Sequence, residues 1–427
     1  MIERAEGIYL YDSNGKRYID GSGGSAAVTS IGHGVQEVID AAVEQMKKVS
    51  YVPMHLMAHR PLLELADTIA EITPGSLNKV WFVSGGSEAT ENAVKMARQY
   101  HLERGNPSKF KIVSRWQSYH GATLGSLAFG GHTFRRRKYV PMLNDQPKIP
   151  AAYQYRCAYC QDGGKCNLEC ARALEHTIRL EGPENVAAFI AEPIVGAALG
   201  AVTPPDGYFA AIRTICDKYD VLFIADEVMT GFGRTGEMFA MNHWDVVPDI
   251  ITAAKGISGG YTPLGAVIAR DEVIAPFENN SSNFVGGHTF VGNPLSCAVG
   301  LAVIRYMLSH DLVNNAKTVG AYFLDRLNAL KSHPTVGDVR GKGLLVGLEF
   351  VRDKVTKEPF APENRFAARI GAEALARGLV TYPGTGTVDG LLGDHMLFGP
   401  PLTITREQID DLIVILDASI GAVESKL

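Results

Sequence analysis

A lysine and an acidic pair stand at the ends of two short apolar runs. Lys255 lies in DIITAAKGISGGYTPLGAV, after the run that begins at Ile250 and immediately before a glycine, while Asp226 and Glu227 follow the run from Val221 to Ala225. In an open α/β sheet the carboxyl ends of the strands share one crevice, so an amine and a carboxylate carried there can face a single ligand. Pyridoxal phosphate needs that pair. An amine holds its aldehyde as a Schiff base, and an acid opposite the pyridine nitrogen keeps the ring able to accept electrons. Neither half is specific alone, since a lysine before glycine also ends ordinary solvated strands and an Asp-Glu pair also marks metal sites and helix caps.

A phosphate would need its own cradle, and the segment KVWFVSGGSEATENAVKMARQY supplies the pattern for one. Val80 to Val83 read as a buried strand, Ser84-Gly85-Gly86-Ser87 as a turn, and Ala89, Ala93, Val94 and Ala97 recur at helical spacing. The two glycines let the backbone approach an anion, Ser87 can serve as N-cap or phosphate donor, and a helix start favours a dianion. An ordinary strand-to-helix turn with an N-cap serine fits the same residues.

Taken together these segments resemble the class III, pyridoxal phosphate dependent aminotransferases of the aspartate aminotransferase superfamily. The likeness is carried by IADEVMTGFGRTGEMFA and PDIITAAKGISGGYTPLGAV, by Tyr119-His120-Gly121, by Ala191-Glu192-Pro193 and by GGHTFVGNPLSCA from Gly286 to Ala298. It extends from GIYLYDSNGKRYID to GPPLTIT, nearly the whole chain. The resemblance implies an α/β chain of the fold type I class, with a mostly parallel central sheet flanked by helices and a smaller α+β domain. It implies that Lys255 forms the Schiff base, that Asp226 pairs with the pyridine nitrogen, and that Gly85, Gly86 and Ser87 hold the phosphate. Tyr119 and Val228 would cover the two faces of the ring, His120 would belong to the same cofactor-binding set, and Glu192 would shape the substrate pocket as a third catalytic residue. Thr289 would complete the phosphate site from the neighbouring subunit of a homodimer. The implied activity is transfer of an amino group from an amine or ω-amino acid to a 2-oxo acid, pyruvate first, by a ping-pong mechanism. The alternative within the family is an amino-acid racemase, epimerase or aminomutase, which uses the same lysine and cofactor. Tyr119 read without the resemblance is equally a core aromatic, and Glu192 a structural partner of a nearby cation.

At 427 residues the chain exceeds one ordinary core. The layout expected is an N-terminal segment, 1–50, packing with the small domain, a large cofactor domain over 51–310, and a small domain over 311–427. Strand-like runs at 80–83, 111–113, 188–191, 221–225 and 264–269 are assigned to the central sheet, and helical patterns alternate with them. Val35, Val38, Ile39, Ala42, Val43 and Met46 make one apolar helix face; Leu62, Leu65, Ala66 and Ile69 make another. The net charge of −5 offers no basic surface to nucleic acid. The N-terminus lacks the apolar stretch of a signal peptide, and no run is long enough to span a bilayer, so a soluble cytoplasmic enzyme is expected.

Two further features bear on ligands. Cys157, Cys160, Cys166 and Cys170 fall close together, a spacing open to a metal site, to disulfides or to free thiols, whereas Cys216 and Cys297 read as small core residues. No metal is assigned. Many family members acting on α-carboxylates carry an arginine just before the GPPLTIT-like motif, yet DGLLGDHMLF, Asp389 to Phe398, contains none. A donor without an α-carboxylate, or with its carboxylate far from the amino group, is therefore favoured. Arg156 and the run Arg135-Arg136-Arg137 are the cations that could meet such a distant acid.

Overall fold

The computed structural model describes residues 1–157, 159–160, 166–281 and 283–427. Its centre is a seven-stranded sheet in the order Leu77–Val83, Gly265–Arg270, Ile250–Ala253, Leu222–Asp226, Val186–Ala191, Lys111–Arg115, Lys148–Ile149. Gly265–Arg270 is antiparallel to both neighbours, and the other adjacent pairs are parallel. Val186–Ala191, Leu222–Asp226 and Ile250–Ala253 are buried at every position, as continuous apolar runs must be in a parallel sheet covered on both faces.

The pleat divides these runs between two cores. Phe189, Phe223, Ile251 and Ile268 pack with Leu174, Phe209 and Ile212 on one side. Ile190, Ile224, Ile250 and Val267 pack with Ala89, Ala93, Met96 and Ala97 of the helix Gly86–Glu103 on the other. Burying one such large apolar side chain contributes about 1.5–3 kcal/mol, so the register is strongly held. It also aligns the strand ends: Asp226 lies opposite Thr252, Ala253 opposite Ala266, and Val83 opposite Gly265.

Two smaller sheets flank this one. Ile2–Glu6, Tyr9–Asp12 and Arg17–Asp20 form an antiparallel set to which Leu379–Val380 adds a parallel edge. Val336–Lys342, Leu345–Phe350, Asp394–Phe398 and Tyr382–Thr385 form an antiparallel sheet. The helix Arg406–Glu424 starts on a capping box in which Thr405 and Gln408 satisfy each other's backbone. Among the described residues no single helix is long and apolar enough to cross a membrane.

One helix departs from its apolar pattern. Gln36–Lys48 packs on Pro294–Ser309 and buries Val38, but Ile39, Val43 and Met46 are 39%, 44% and 66% exposed. The six-residue face is wider than the neighbouring helix can cover within one chain.

Candidate active site at the strand ends

The residues singled out in the sequence sit where the parallel strands end. Asp226 closes Leu222–Asp226, Glu192 follows Val186–Ala191, Ser84 follows Leu77–Val83, and Lys255 lies two residues beyond Ile250–Ala253. Lys255, Asp226, Glu192, Tyr119 and Val228, with Ser84–Ser87, His120 and Gly121, line one cavity of about 450 Å³.

Lys255 does not continue its strand. It opens a single turn, Lys255–Ile257, with φ at +47°, a left-handed conformation that costs a non-glycine residue about 1–3 kcal/mol. The amides of Ser258 and Gly259 hold it there by donating to its carbonyl at 3.1 and 3.0 Å. Burial pulls the Lys255 ammonium below its ordinary pKa, while Asp226 and Glu192 act in the opposite sense and Arg135 adds to the lowering.

Asp226 Oδ2 lies 2.6 Å from His120 Nδ1, and its Oδ1 accepts the Val228 amide at 3.1 Å. When Nδ1 carries the proton it donates to the carboxylate and fixes the ring's tautomer. Glu192 Oε1 accepts the Tyr119 amide at 2.8 Å, and burial lifts this carboxyl to about 7 despite the opposing charges of His120 and Arg115. Arg115 donates to the backbone carbonyl of Glu192, not to its carboxylate. Both Glu192 Oε2 and His120 Nε2 are buried without a partner among the described residues.

The turn before Gly86–Glu103 differs in detail from the sequence expectation. Gly85 takes the N-cap position, not Ser87, which lies in the first turn and accepts the Ala122 amide through Oγ at 3.1 Å. The first-turn amides have no carbonyl four residues earlier in the helix to bond with and are free for an anion. Gly86 is pressed on Val228: a Cβ there would come within 2.8 Å of Val228 Cγ1. Gly121, at φ +134°, backs on Ser87, whose Oγ would lie 2.6 Å from an added Cβ.

This set fits pyridoxal phosphate in kind. It offers an amine with a lowered pKa, a carboxylate on the same cavity, a helix start with glycines, and an aromatic and an aliphatic wall. Thr289 stands apart: it is exposed, its carbonyl accepts the Tyr51 hydroxyl at 2.9 Å, and it does not line the cavity of its own chain. The cavity also takes Val28 from the N-terminal segment, and Ile194 and Met229. Residue types alone carry no signal for these apolar positions.

The cations expected to meet a distant acid separate. Arg156 is tied to Glu349, Nε to Oε1 at 2.5 Å, and its charge is satisfied inside the protein. Arg136 is buried and pairs with Asp145 at 2.6 Å, and Arg137 lies over the Phe134 ring. Arg135 alone approaches the site, with its guanidinium 4.8 Å from the centre of the Tyr119 ring.

All six cysteines are free thiols, with Cys216 and Cys297 in the core. The Cys160 amide donates to Cys157 Sγ at 3.1 Å, yet among the described residues no three His, Cys, Asp or Glu side chains converge to hold a metal. Ala158 and 161–165, inside the cysteine cluster, lie outside the described residues.

Comparison with known proteins agrees with the geometry. The family model for class-III aminotransferases matches residues 1–420. The putrescine–pyruvate aminotransferase of Pseudomonas aeruginosa is 37% identical, with 99% of this chain and 91% of that protein covered. Among solved structures, an (S)-enantioselective omega-transaminase from Thermomicrobium roseum is 40% identical with a TM-score of 0.92, covering 99% of this chain and 92% of that one. An amine transaminase from an uncultivated Pseudomonas species, in its PLP-bound form, is 35% identical with a TM-score of 0.93, covering 99% and 95%.

Proposed function

The chain belongs to the class-III aminotransferases, and from that premise we propose that it moves an amino group from an amine or ω-amino acid to a 2-oxo acid, pyruvate first, in a ping-pong cycle on pyridoxal phosphate. The observation that carries this is the single cavity that Lys255, Asp226 and the start of the helix Gly86–Glu103 all line. The names of two relatives lend support to the substrates: one is a putrescine–pyruvate aminotransferase, the other an omega-transaminase.

Bound there, the cofactor supplies an aldehyde that takes up and returns an amino group and a ring that absorbs the electron pair left when a substrate carbon loses its proton. The protein's residues do the rest. Lys255 would anchor the cofactor, and its neutral amine would take the proton from the substrate carbon that bears the amino group. Its lowered pKa enlarges the share of neutral amine near neutral pH. Asp226, oriented by His120 and the Val228 amide, would favour a proton on the nitrogen of a bound pyridine ring. Gly85, Gly86 and Ser87 would hold the phosphate at the helix start, and Tyr119 and Val228 would cover the ring. Glu192, held by the Tyr119 amide, borders the space left for substrate. Thr289 serves the phosphate of the partner subunit in a homodimer, its position away from its own cavity being consistent with that use.

A panel of amines and β-, γ- and ω-amino acids, each incubated with the holoenzyme and pyruvate, tests this by alanine formation. Alanine accumulating with ω-amino donors is the expected result. Repeated conversion of a single amino acid with no 2-oxo acid present would replace transamination by isomerisation.

A further inference from the structure

Resting on the transaminase reading, the surroundings of Arg135 name how its substrates are held. Of the four arginines that could meet an acid, Arg156 and Arg136 are neutralised by Glu349 and Asp145, and Arg137 lies over Phe134. Arg135 has no ion-pair partner among the described residues; its Nη2 donates to the Tyr382 hydroxyl at 3.0 Å, and its guanidinium covers Tyr119. It lines a cavity of about 300 Å³ together with His132, Tyr382 and Ala197. Ala197 lines this cavity and that of Lys255, and Tyr119, under the Arg135 guanidinium, lines the Lys255 cavity, so the two spaces adjoin.

The arginine-free segment Asp389 to Phe398 packs on the short helix Thr133–Arg136 that carries this residue. A Cβ on Gly390, at φ +89°, would collide with Thr133 Oγ1. Gln117 ties the same region down by donating to the carbonyls of Gly386 and Thr387 at 2.8 and 3.1 Å. The cation on this wall therefore comes from Thr133–Arg136. We propose that Arg135, steadied by Tyr382, is the anion subsite that binds the substrate carboxylate lying away from the reacting carbon. An ω-amino acid then enters with its nitrogen toward Lys255 and its carboxylate toward Arg135, whereas a 2-oxo acid, whose carboxylate is attached to the reacting carbon itself, does not call on this fork. His132 adds no competing charge, since burial holds its imidazole down to about 4. The planar guanidinium can grip a carboxylate with two parallel hydrogen bonds, which a lysine cannot do.

The test compares holoenzyme of the wild type, Arg135→Gln and Arg135→Lys on matched substrates. 4-Aminobutyrate against butylamine reads the donor half reaction, and pyruvate against propanal reads the acceptor half. For Arg135→Gln, kcat/KM for 4-aminobutyrate should fall relative to butylamine by about 10- to 100-fold, mainly through KM, as expected for one charge-assisted contact, while the ratio of pyruvate to propanal should hold. Arg135→Lys should lie between. A fall confined to the acceptor pair would overturn the assignment to the distant carboxylate. Calorimetric titration of propionate should weaken by the same factor in the glutamine variant. Unchanged ratios together with unchanged propionate binding overturn the proposal. If the wild type transaminates none of the pairs, the functional reading fails, and the propionate titration still decides the role of Arg135.

Discussion

Glu192 ties the electrostatics of the site to pH. Burial lifts its carboxyl to about 7, so between pH 4.5 and 7 the native protein keeps a proton that the unfolded chain releases. Its contribution to stability is complete below pH 4.5 and lost as pH rises through 7, at most about 3 kcal/mol. Glutamine reproduces the protonated form: its oxygen can accept the Tyr119 amide, and its NH2 group replaces the OH. In cofactor-free protein, Glu192→Gln should gain melting temperature relative to wild type between pH 5 and pH 8. Melting curves that stay parallel across that range would count against the shift. At this scale the apolar runs ahead of Asp226 and Lys255 marked their place, Glu192 came from the resemblance, and the structure sets all three on one cavity. It was not legible where a partner comes from a distant segment. His120 could be named from its motif but not paired with Asp226, and nothing local reveals that Glu349 neutralises Arg156.

Elements hold the site by close contact more than by hydrogen bonds. The turn after Val83 is wedged between Val228 and the segment at Gly121, and neither Gly86 nor Gly121 has room for a methyl group. Gly121→Ala adds a Cβ 2.6 Å from Ser87 Oγ and 2.8 Å from Ser126 Oγ in a left-handed backbone, so Ser87 must shift. Overpacking of this kind costs about 1–3 kcal/mol and should weaken pyridoxal phosphate binding by roughly tenfold. Fluorescence titration of the cofactor measures it, and an affinity equal to wild type would show that the contact is soft. The strands were readable because a doubly covered parallel sheet demands unbroken apolar runs, and Val186–Ala191 and Leu222–Asp226 are such runs. The N-cap falls on Gly85 because serine and glycine both suit that position, and of the two roles open to Ser87 the structure leaves the one in the first turn beside the Ala122 amide. The helix Gln36–Lys48 misled in another way, since periodicity gives the width of an apolar face but not what covers it.

At the scale of the whole molecule, apolar residues left outside point to a second chain. Tyr51, Leu56, Met57, Val285 and Phe290 are all exposed, and Tyr51 is bonded to Thr289. Surfaces of this kind are where a second copy of the chain would pack. Sedimentation should give twice the 46.1 kDa chain mass, and Thr289→Ala should loosen cofactor binding. A monomer whose cofactor affinity is indifferent to Thr289 would refute that use of the residue. Folding brings residues 84–87, 119–121, 192, 226, 228 and 255 to one cavity, and the proposed chemistry centres on the amine of Lys255. The most direct measurement is borohydride reduction of the protein loaded with pyridoxal phosphate, followed by peptide mass spectrometry. A phosphopyridoxyl mass on Lys255, absent from Lys255→Ala, is the expected result. A label on any other lysine, or none at saturating cofactor, would contradict the role given to Lys255.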